Sequence, residues 1–199
     1  MITLVLDARK ERDVRRAGEL LRDGKLVAFP TETVYGLGAR ADDERAVEEL
    51  YRVKKRPPEK KPAILIPSLE DCARYAAPLS APAALLAAAF WPGPLTLVVP
   101  DGRGGDVGLR CPDCDATRRM LKAARVPVLA PSANMSGKPP ATSAQEVLAV
   151  FEGLITAVLD GGPAPLRKSS TVVRVLGNEV AIIRAGALSE EQIRAALRQ

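Results

Sequence analysis

A chain of 199 residues is long enough for one α/β domain with a proper core. Its 47% hydrophobic and 27% charged residues are typical of an ordinary globular protein. The formal charge of +5 is a mild positive excess that fits a phosphate-bearing partner. Because the sequence contains no histidine, Ser-His-Asp and Cys-His hydrolases of the usual design are excluded. Acid–base chemistry near neutral pH would fall to other side chains, substrate or water.

The sequence gives no sign of a membrane or secreted protein. Its first residues lack the basic segment and apolar stretch of a signal peptide. The longest apolar stretch, 79–91, is interrupted by Ser80 and Pro82 and is short for a membrane span. We find no linker, repeat or low-complexity tract. We therefore expect a cytoplasmic protein with one domain over residues 1–199 and no membrane contact.

Three cysteines cannot all pair within one chain, and a reducing compartment would keep them as thiols. Cys111 and Cys114 have CxxC spacing, but only Cys72 could add a further thiolate, and histidine is absent. A four-ligand zinc site made of thiolates and imidazoles is therefore impossible within one chain. We interpret the CxxC segment as an ordinary loop and predict no metal ligands among the protein side chains.

Hydrophobic periodicity and breaker residues predict that helices and strands alternate along the chain. In the first half, the pattern predicts a helix over 7–23, a strand over 25–29, a helix that Asp42 or Asp43 caps and Pro57 ends, a strand over 63–66 and a helix over 82–90. In the second half, it predicts strands over 95–99 and 107–110, a helix that Asp115 caps and that runs to 124, strands over 126–130, 156–159, 171–176 and 179–184, and a last helix.

Two further local patterns define the predicted fold. Capping boxes are predicted at three helix starts: Ser68 with Asp71, Ser143 with Glu146, and Ser189 with Gln192. Gly177 and Asn178 predict a hairpin turn between the last two strands. Interleaved elements with an antiparallel pair near the end favour the α/β class, as a single-domain, twisted, mixed parallel and antiparallel sheet flanked by helices.

The first candidate ligand loop directly follows a predicted strand, where α/β proteins often carry ligand groups. Hydroxyls on Thr31, Thr33 and Tyr35 can orient a small polar ligand, while Gly36 and Gly38 allow the backbone to approach it. The alternative is a hydroxyl-rich turn that binds nothing.

The second candidate segment lies at the end of a predicted helix. Lys54 falls seven residues after Val47, on the apolar stripe of that helix. A cation there needs a partner, and a bound anion would serve. Arg56 adds a planar fork suited to carboxylate or phosphate. The alternative is a solvated basic helix end, which suits the helix dipole.

The third and fourth candidate segments also border strands. Ser132 and Asn134 are two residues apart in an extended segment, so both side chains can hold one ligand together. Their alternative duty is to cap the backbone of their own loop. Ser170 begins a strand, and Arg184 ends its hairpin partner. Because P-loop and GxGxxG motifs are absent, cationic side chains would have to hold much of the charge of ATP, should it bind.

Seven segments carry a family resemblance: FPTETVYGL at 29–37, KKRP at 54–57, WPGPLT at 91–96, GLRCP at 108–112, PSANMSG at 131–137, STVV at 170–173 and IRAG at 183–186. Each alone is unspecific, but in this order they resemble the YrdC/TsaC family of threonylcarbamoyl-AMP synthases, in its short single-domain form. The resemblance implies a YrdC-like fold with a basic concave cavity.

The resemblance also implies a reaction and a set of site residues. L-threonine, bicarbonate and ATP would give threonylcarbamoyl-AMP and pyrophosphate with the help of Mg²⁺. A tRNA-modifying transferase complex would receive the product and modify the adenosine next to the anticodon. Matching motif positions imply catalytic roles for Lys54 and Arg56. The implied ATP contacts are Arg56, Lys60, Asn134, Thr142 and Arg184. The implied threonine contacts are Thr31, Thr33, Tyr35, Arg110, Ser132 and Ser170.

Two other classes of function compete with this one. A module that binds double-stranded RNA without catalysis could use the same basic cavity, and direct contact with RNA is an open alternative. Only three Phe, three Tyr and one Trp are available for base stacking, which weighs against single-strand recognition. A carbamoyl-transfer domain of larger hydrogenase-maturation proteins is the second rival, and the absence of a zinc-finger cysteine array argues against it.

Overall fold

The computed structural model describes residues 2–59 and 61–198. Within these residues the strands are β1 Leu4–Asp7, β2 Val27–Phe29, β3 Gly36–Arg40, β4 Ile64–Leu65, β5 Leu95–Pro100, β6 Asp106–Arg110, β7 Val128–Leu129, β8 Ala157–Asp160, β9 Thr171–Leu176 and β10 Glu179–Arg184. The helices are α1 Glu11–Arg22, α2 Glu44–Lys54, α3 Ala81–Phe90, α4 Asp115–Ala124, α5 Ala144–Phe151 and α6 Glu190–Ala196, with a 3₁₀ helix at Leu69–Arg74. In this part of the chain, no helix has the length and apolar character needed to cross a membrane.

The strands form one mixed sheet in the order β1-β8-β2-β3-β7-β4-β6-β5-β9-β10. Parallel pairs join β8 to β1 and β2, β4 to β6, and β5 to β9. Antiparallel pairs include the hairpins β2–β3, β5–β6 and β9–β10. The predicted turn at Gly177 and Asn178 joins the last of these, with Leu176 opposite Glu179. The predicted α/β class with a mixed sheet flanked by helices is confirmed.

In one half of the sheet, formed by β1, β8, β2 and β3, helices cover both faces of β8, β2 and β3, while β1 is a partly exposed edge strand; we call it the closed half. Successive residues of a strand point to opposite faces. In β2, Val27 and Phe29 pack in one hydrophobic cluster with α1 and α4, whereas Ala28 packs in another with α2 and α5. In β8, Leu159 packs in the first of these clusters and Val158 in the second. The closed half therefore needs apolar residues at consecutive strand positions.

The other half of the sheet, formed by β6, β5, β9 and β10, has a helical layer on one face; we call it the open half. Leu95, Leu97 and Val99 of β5 pack in a cluster with α3 and α6. Thr96 and Val98 alternate with them and line a cavity on the opposite face. Successive residues of β5 thus face the core and the cavity in turn.

Two strands were not predicted from the sequence. β1 lies mostly where no element was predicted and takes only Asp7 from the predicted helix, which begins at Glu11 instead. β3 lies in the segment predicted as a ligand loop. Gly36 and Gly38 were expected to admit a ligand, but a Cβ atom at these positions would come within 2.9 and 2.7 Å of the Phe29 ring. The Phe29 ring of the neighbouring strand β2 therefore fills the space beside these glycines.

The predicted caps have mixed outcomes. The capping box of Ser189 and Gln192 is confirmed, and Asp43 accepts hydrogen bonds at the start of α2. Ser143 caps α5, but the Glu146 carboxylate accepts from the Thr142 backbone N–H at 2.6 Å instead of completing a box. The other two predictions were wrong. Ser68 donates to the Asp71 carboxylate rather than capping, and Cys114, not Asp115, occupies the N-cap of α4.

Candidate active site

A cavity of about 990 Å³ lies on the uncovered face of the open half and extends toward β3, β4 and β7. Several predicted site residues line it: Thr31, Tyr35, Arg56, Arg110, Ser132, Ser170 and Arg184. Its acidic lining residues, Glu48, Glu59 and Asp106, are exposed at the surface, and Asp106 pairs with Arg174 at 2.7 Å. The inner part of the cavity is therefore basic.

Three guanidinium groups face this cavity, and the charges of two of them act on the third. Partial loss of water around Arg184 lowers its pKa, and the positive charges of Arg110 and Arg56 lower it further. Arg56 comes from the end of α2, Arg110 from the end of β6 and Arg184 from the end of β10. Like charges held this close favour an anionic ligand, and planar guanidinium groups suit carboxylate and phosphate oxygens.

Arg110 is buried and held from three sides. Its Nη2 donates to Thr33 Oγ1 at 2.8 Å, and its Nε donates to the Gly93 carbonyl at 3.4 Å. The Glu32 carboxylate pairs with Nη2 at 2.8 Å, although neither Glu32 oxygen accepts a hydrogen bond of good geometry from any described residue. These contacts fix the orientation of the guanidinium group. Glu32 was not among the predicted site residues.

The hydroxyls of the first candidate loop form a chain behind Arg110. Thr31 Oγ1 donates to the Val34 carbonyl at 2.6 Å, so the 2.8 Å contact between the two threonine hydroxyls leaves Thr33 as the donor. Thr33 is fully buried and is absent from the cavity lining. Its predicted role as a direct ligand contact is corrected here, because its hydroxyl supports Arg110 instead.

The Tyr35 hydroxyl is also occupied by the protein. It donates to the Gly162 carbonyl at 2.8 Å and accepts from the Gly161 backbone N–H at 3.2 Å. Burial raises the pKa of Tyr35 to about 12, so the phenol stays protonated near neutral pH. Tyr35 borders the cavity, but its hydroxyl connects β3 to the loop after β8. The expectation that this hydroxyl orients a ligand is therefore corrected.

Arg184 is fixed to the start of β9. Its Nη2 donates to the Ser170 carbonyl at 2.7 Å and contacts the Ser170 hydroxyl at 3.2 Å. That hydroxyl also lies 2.9 Å from Thr96 Oγ1. Thr96 is buried and lines the cavity. Sequence reasoning missed Thr96 as a site residue, although the alternation of β5 is a signal that could have found it.

Ser132 and Asn134 bind each other instead of presenting two free groups. The Ser132 hydroxyl donates to Asn134 Oδ1 at 2.6 Å, and Asn134 Nδ2 donates to the Met135 and Lys138 carbonyls at 2.8 Å each. The prediction of a joint grip on one ligand is thus corrected in favour of loop capping. Ser132 lines the cavity, whereas Asn134 does not.

Two more predicted residues, Thr142 and Lys54, stand apart from the cavity lining. The Thr142 hydroxyl donates to Glu146 at 3.1 Å. Lys54 is 1% exposed, and its Nζ donates to the Ser132 and Asn134 carbonyls at 2.5 and 2.6 Å. The expected anionic partner of Lys54 is therefore replaced by backbone oxygens. Lys60 lies outside the described residues.

Two of the three cysteines are buried thiols, and the third lies at the surface. Cys72 and Cys111 are buried, and burial raises the pKa of each thiol to about 11. Cys114 is partly exposed at the start of α4. Among residues 2–59 and 61–198, no group of three or more Cys, Asp or Glu side chains is placed to hold a metal ion. The CxxC segment is a loop between β6 and α4.

The fold and the site together define an α/β protein whose mixed sheet carries a basic ligand cavity on its open face. The chain belongs to the Sua5/YciO/YrdC family: the family model, described as telomere recombination, matches residues 19–186. The family resemblance found in the sequence is confirmed.

Similar proteins support this membership. A threonylcarbamoyl-AMP synthase of Pyrococcus abyssi is 40% identical, with 96% of this chain and 60% of the relative covered. A threonylcarbamoyl-AMP synthase of Bacillus subtilis is 35% identical, with 92% and 56% covered. The crystal structure of P. abyssi Sua5 complexed with L-threonine superimposes with a TM-score of 0.91 at 39% identity, covering 98% of this chain and 61% of that one. This chain thus spans about 60% of the length of these relatives.

Proposed function

We propose that this chain is an L-threonylcarbamoyladenylate synthase, a nucleotidyltransferase that makes threonylcarbamoyl-AMP and pyrophosphate from L-threonine, bicarbonate and ATP. The observation that carries the proposal is the set of three guanidinium groups, Arg56, Arg110 and Arg184, around one cavity that is also lined by hydroxyls. A triphosphate and an amino acid carboxylate are both anions that such groups bind well. The names of the relatives and the threonine complex support the same reaction.

We assign the cavity residues to the two ligands as the family resemblance implies. Arg56 and Arg184 would hold the phosphates of ATP. Of the other implied ATP contacts, Asn134 and Thr142 stand apart from the cavity lining, and Lys60 lies outside the described residues. Arg110 would pair with the threonine carboxylate, while Ser132 and Ser170 offer hydroxyls. Mg²⁺ would be bound chiefly through phosphate oxygens, since these are hard ligands of the kind it prefers.

The proposed reaction needs positioning and charge neutralisation rather than a covalent enzyme intermediate. The threonine amine would attack CO₂, which bicarbonate supplies by dehydration, and would lose one proton to water to give a carbamate. A carbamate oxygen would then attack the α-phosphorus of ATP, and pyrophosphate would leave. Guanidinium groups fixed before the reaction stabilise the charge that develops on the phosphoryl oxygens without reorganising. The hydrogen bonds that hold Arg110 and Arg184 provide this fixed arrangement.

We further propose that the product passes to a tRNA-modifying transferase complex, which modifies the adenosine next to the anticodon. Threonylcarbamoyl-AMP is a mixed anhydride, so it needs an acceptor that displaces AMP. A cytoplasmic location fits this role, because tRNA is the final acceptor.

Pyrophosphate release from ATP tests the function directly. Wild-type protein with ATP, bicarbonate and Mg²⁺ should release pyrophosphate with L-threonine and much less without it or with L-serine. Pyrophosphate release that does not depend on L-threonine, or no release at all, would contradict the proposal. Salt-sensitive binding of duplex RNA in the absence of release would instead favour a nucleic-acid-binding module.

A further inference from the structure

Lys54 makes three hydrogen bonds to one loop. Its Nζ donates to the Ser132 and Asn134 carbonyls at 2.5 and 2.6 Å, and its own carbonyl accepts from the Ser136 backbone N–H at 2.9 Å. The loop residue Ser132 lines the cavity, whereas Lys54 does not. Lys54 thus fastens the 132–136 segment to the end of α2, whereas backbone bonds join the start of this segment to Tyr35 and Gly36.

The end of α2 also determines where Arg56 lies. Lys55 adopts a left-handed conformation with φ of 50°, and the Arg56 backbone N–H donates to the Tyr51 carbonyl at 2.9 Å. This closing turn reverses the chain, so that Arg56 reaches the cavity two residues after Lys54 is buried. Lys54 therefore joins two walls of the cavity, one that carries Arg56 and one that carries Ser132.

Burial of Lys54 is unfavourable in itself, which indicates that its ammonium group has a specific use. Burial and the neighbouring charge of Arg56 lower the pKa of Lys54 to about 7. None of the ion pairs in the described part of the chain includes Lys54. An apolar side chain of similar length would fill the same space without the desolvation penalty. What such a side chain would lack is the pair of bonds to the loop carbonyls.

We propose that Lys54 is a positioning residue, whose ammonium group holds the 132–136 segment against α2 so that Ser132 and Arg56 face the same ligand. This proposal rests on the cavity being the ligand site of the proposed function. It replaces the catalytic role that the resemblance implied for Lys54. The side chain acts through Ser132 and does not touch the reacting atoms.

The test compares Lys54→Met with wild type and with the exposed control Lys25→Met. In ligand-free protein, amide hydrogen exchange of the 132–138 segment should rise about tenfold or more in Lys54→Met, while the β2 and α1 amides stay unchanged. KM for L-threonine or ATP should rise about tenfold, as expected when an interaction that orders the site is lost. At saturating substrate, kcat should fall by less than about threefold, because bound ligand orders the loop again. Lys25→Met should match wild type in all three measurements.

Several outcomes would overturn the proposal. A large loss of kcat with unchanged exchange would make Lys54 a catalytic residue. Faster exchange with unchanged KM would make it a structural residue only. Lys54→Gln is the second variant, and failure of both variants to fold would also assign Lys54 to stability alone. Should wild type release no pyrophosphate, ATP binding measured by calorimetry together with exchange still tests Lys54, so failure of the proposed function is separable from failure of this one.

Discussion

The closed and open halves of the sheet contain strands of the same kind but use their two faces differently. In the closed half, consecutive residues such as Ala28 and Phe29 are both fully buried, because a helical layer covers each face. In the open half, Leu97 is fully buried and its neighbour Val98 borders the cavity. The ligand cavity lies where the second helical layer is missing. Only one face of each strand there has to pack against a hydrophobic core.

This difference determines what a residue can contribute to function. A side chain on the cavity face of the open half, such as Thr96 or Arg110, contacts both the sheet and the space for a ligand. A polar side chain in the closed half must find its partner within the protein, as the Tyr35 hydroxyl does at Gly161 and Gly162. We therefore expect that substitutions in the open half can change stability and activity independently, whereas substitutions in the closed half cannot.

Neighbouring residues of β5 provide the largest expected contrast. Leu97→Ala should lower the free energy of unfolding by about 2–5 kcal/mol, because it leaves a cavity in a packed core. Val98→Ala should lower it by less than about 1 kcal/mol, since the side chain borders open space. Denaturant unfolding of both variants measures the difference. Equal losses would show that the cavity face is packed as tightly as the core.

Removal of a cavity charge should affect activity and leave the fold intact. Arg184→Gln should slow pyrophosphate release about 100-fold or more, as is typical when a fixed donor to developing charge is removed. Its free energy of unfolding should stay near that of wild type, because the guanidinium is exposed to the cavity. The matched control is Arg103→Gln, an exposed arginine away from the cavity lining. Equal activity of the two variants would remove Arg184 from the proposed site.

The sequence predicted the fold best where local pattern and tertiary packing agree. Strands β9 and β10, their hairpin turn and the Ser189 capping box were predicted with their observed bounds. β1 was missed because its partner β8 is distant in sequence, and pairing over such a distance leaves no local signal. β3 was missed for another reason, since it pairs with the neighbouring strand β2. Its glycines indicated a loop, although packing of the Phe29 ring against them explains their presence.

For the site, the sequence predicted location better than role. The motif residues Arg56, Arg110, Ser132, Ser170 and Arg184 do meet at one cavity. The hydrogen-bond partners of these side chains could not be predicted, because every residue has a backbone carbonyl and the sequence does not show which of them lies nearby. The ammonium of Lys54 therefore suggested a bound anion, when its partners are two carbonyl oxygens.

Two glycines that lie against the backbone of another segment allow a further test of the comparison between the closed and open halves. A Cβ atom at Gly18 would come within 2.6 Å of the Met120 carbonyl, between α1 and α4. At Gly186 it would collide with the Ser170 backbone. Each change to Ala should cost about 1–3 kcal/mol of stability through overpacking. Only Gly186→Ala should also raise KM, because displacement of Ser170 moves the anchor of Arg184. A raised KM in Gly18→Ala would show that the two halves are mechanically coupled.

The smallest expected effect concerns Thr33, which lies beneath the cavity rather than in it. Thr33→Val should leave Arg110 without its 2.8 Å acceptor. It should raise KM for L-threonine by about three- to tenfold, less than the loss of a hydrogen bond to a charged group would cost in full, because Thr33 acts on the ligand only through Arg110. Thr33→Ser retains the hydroxyl and should stay close to wild type. Steady-state kinetics at several threonine concentrations separates KM from kcat. The double variant with Arg110→Gln separates the two roles. If Thr33 contacted threonine directly, Thr33→Val would lower the affinity further in the Arg110→Gln background. If Thr33 acts only through Arg110, Thr33→Val should cause no further loss there, because the effects of residues in contact are not additive.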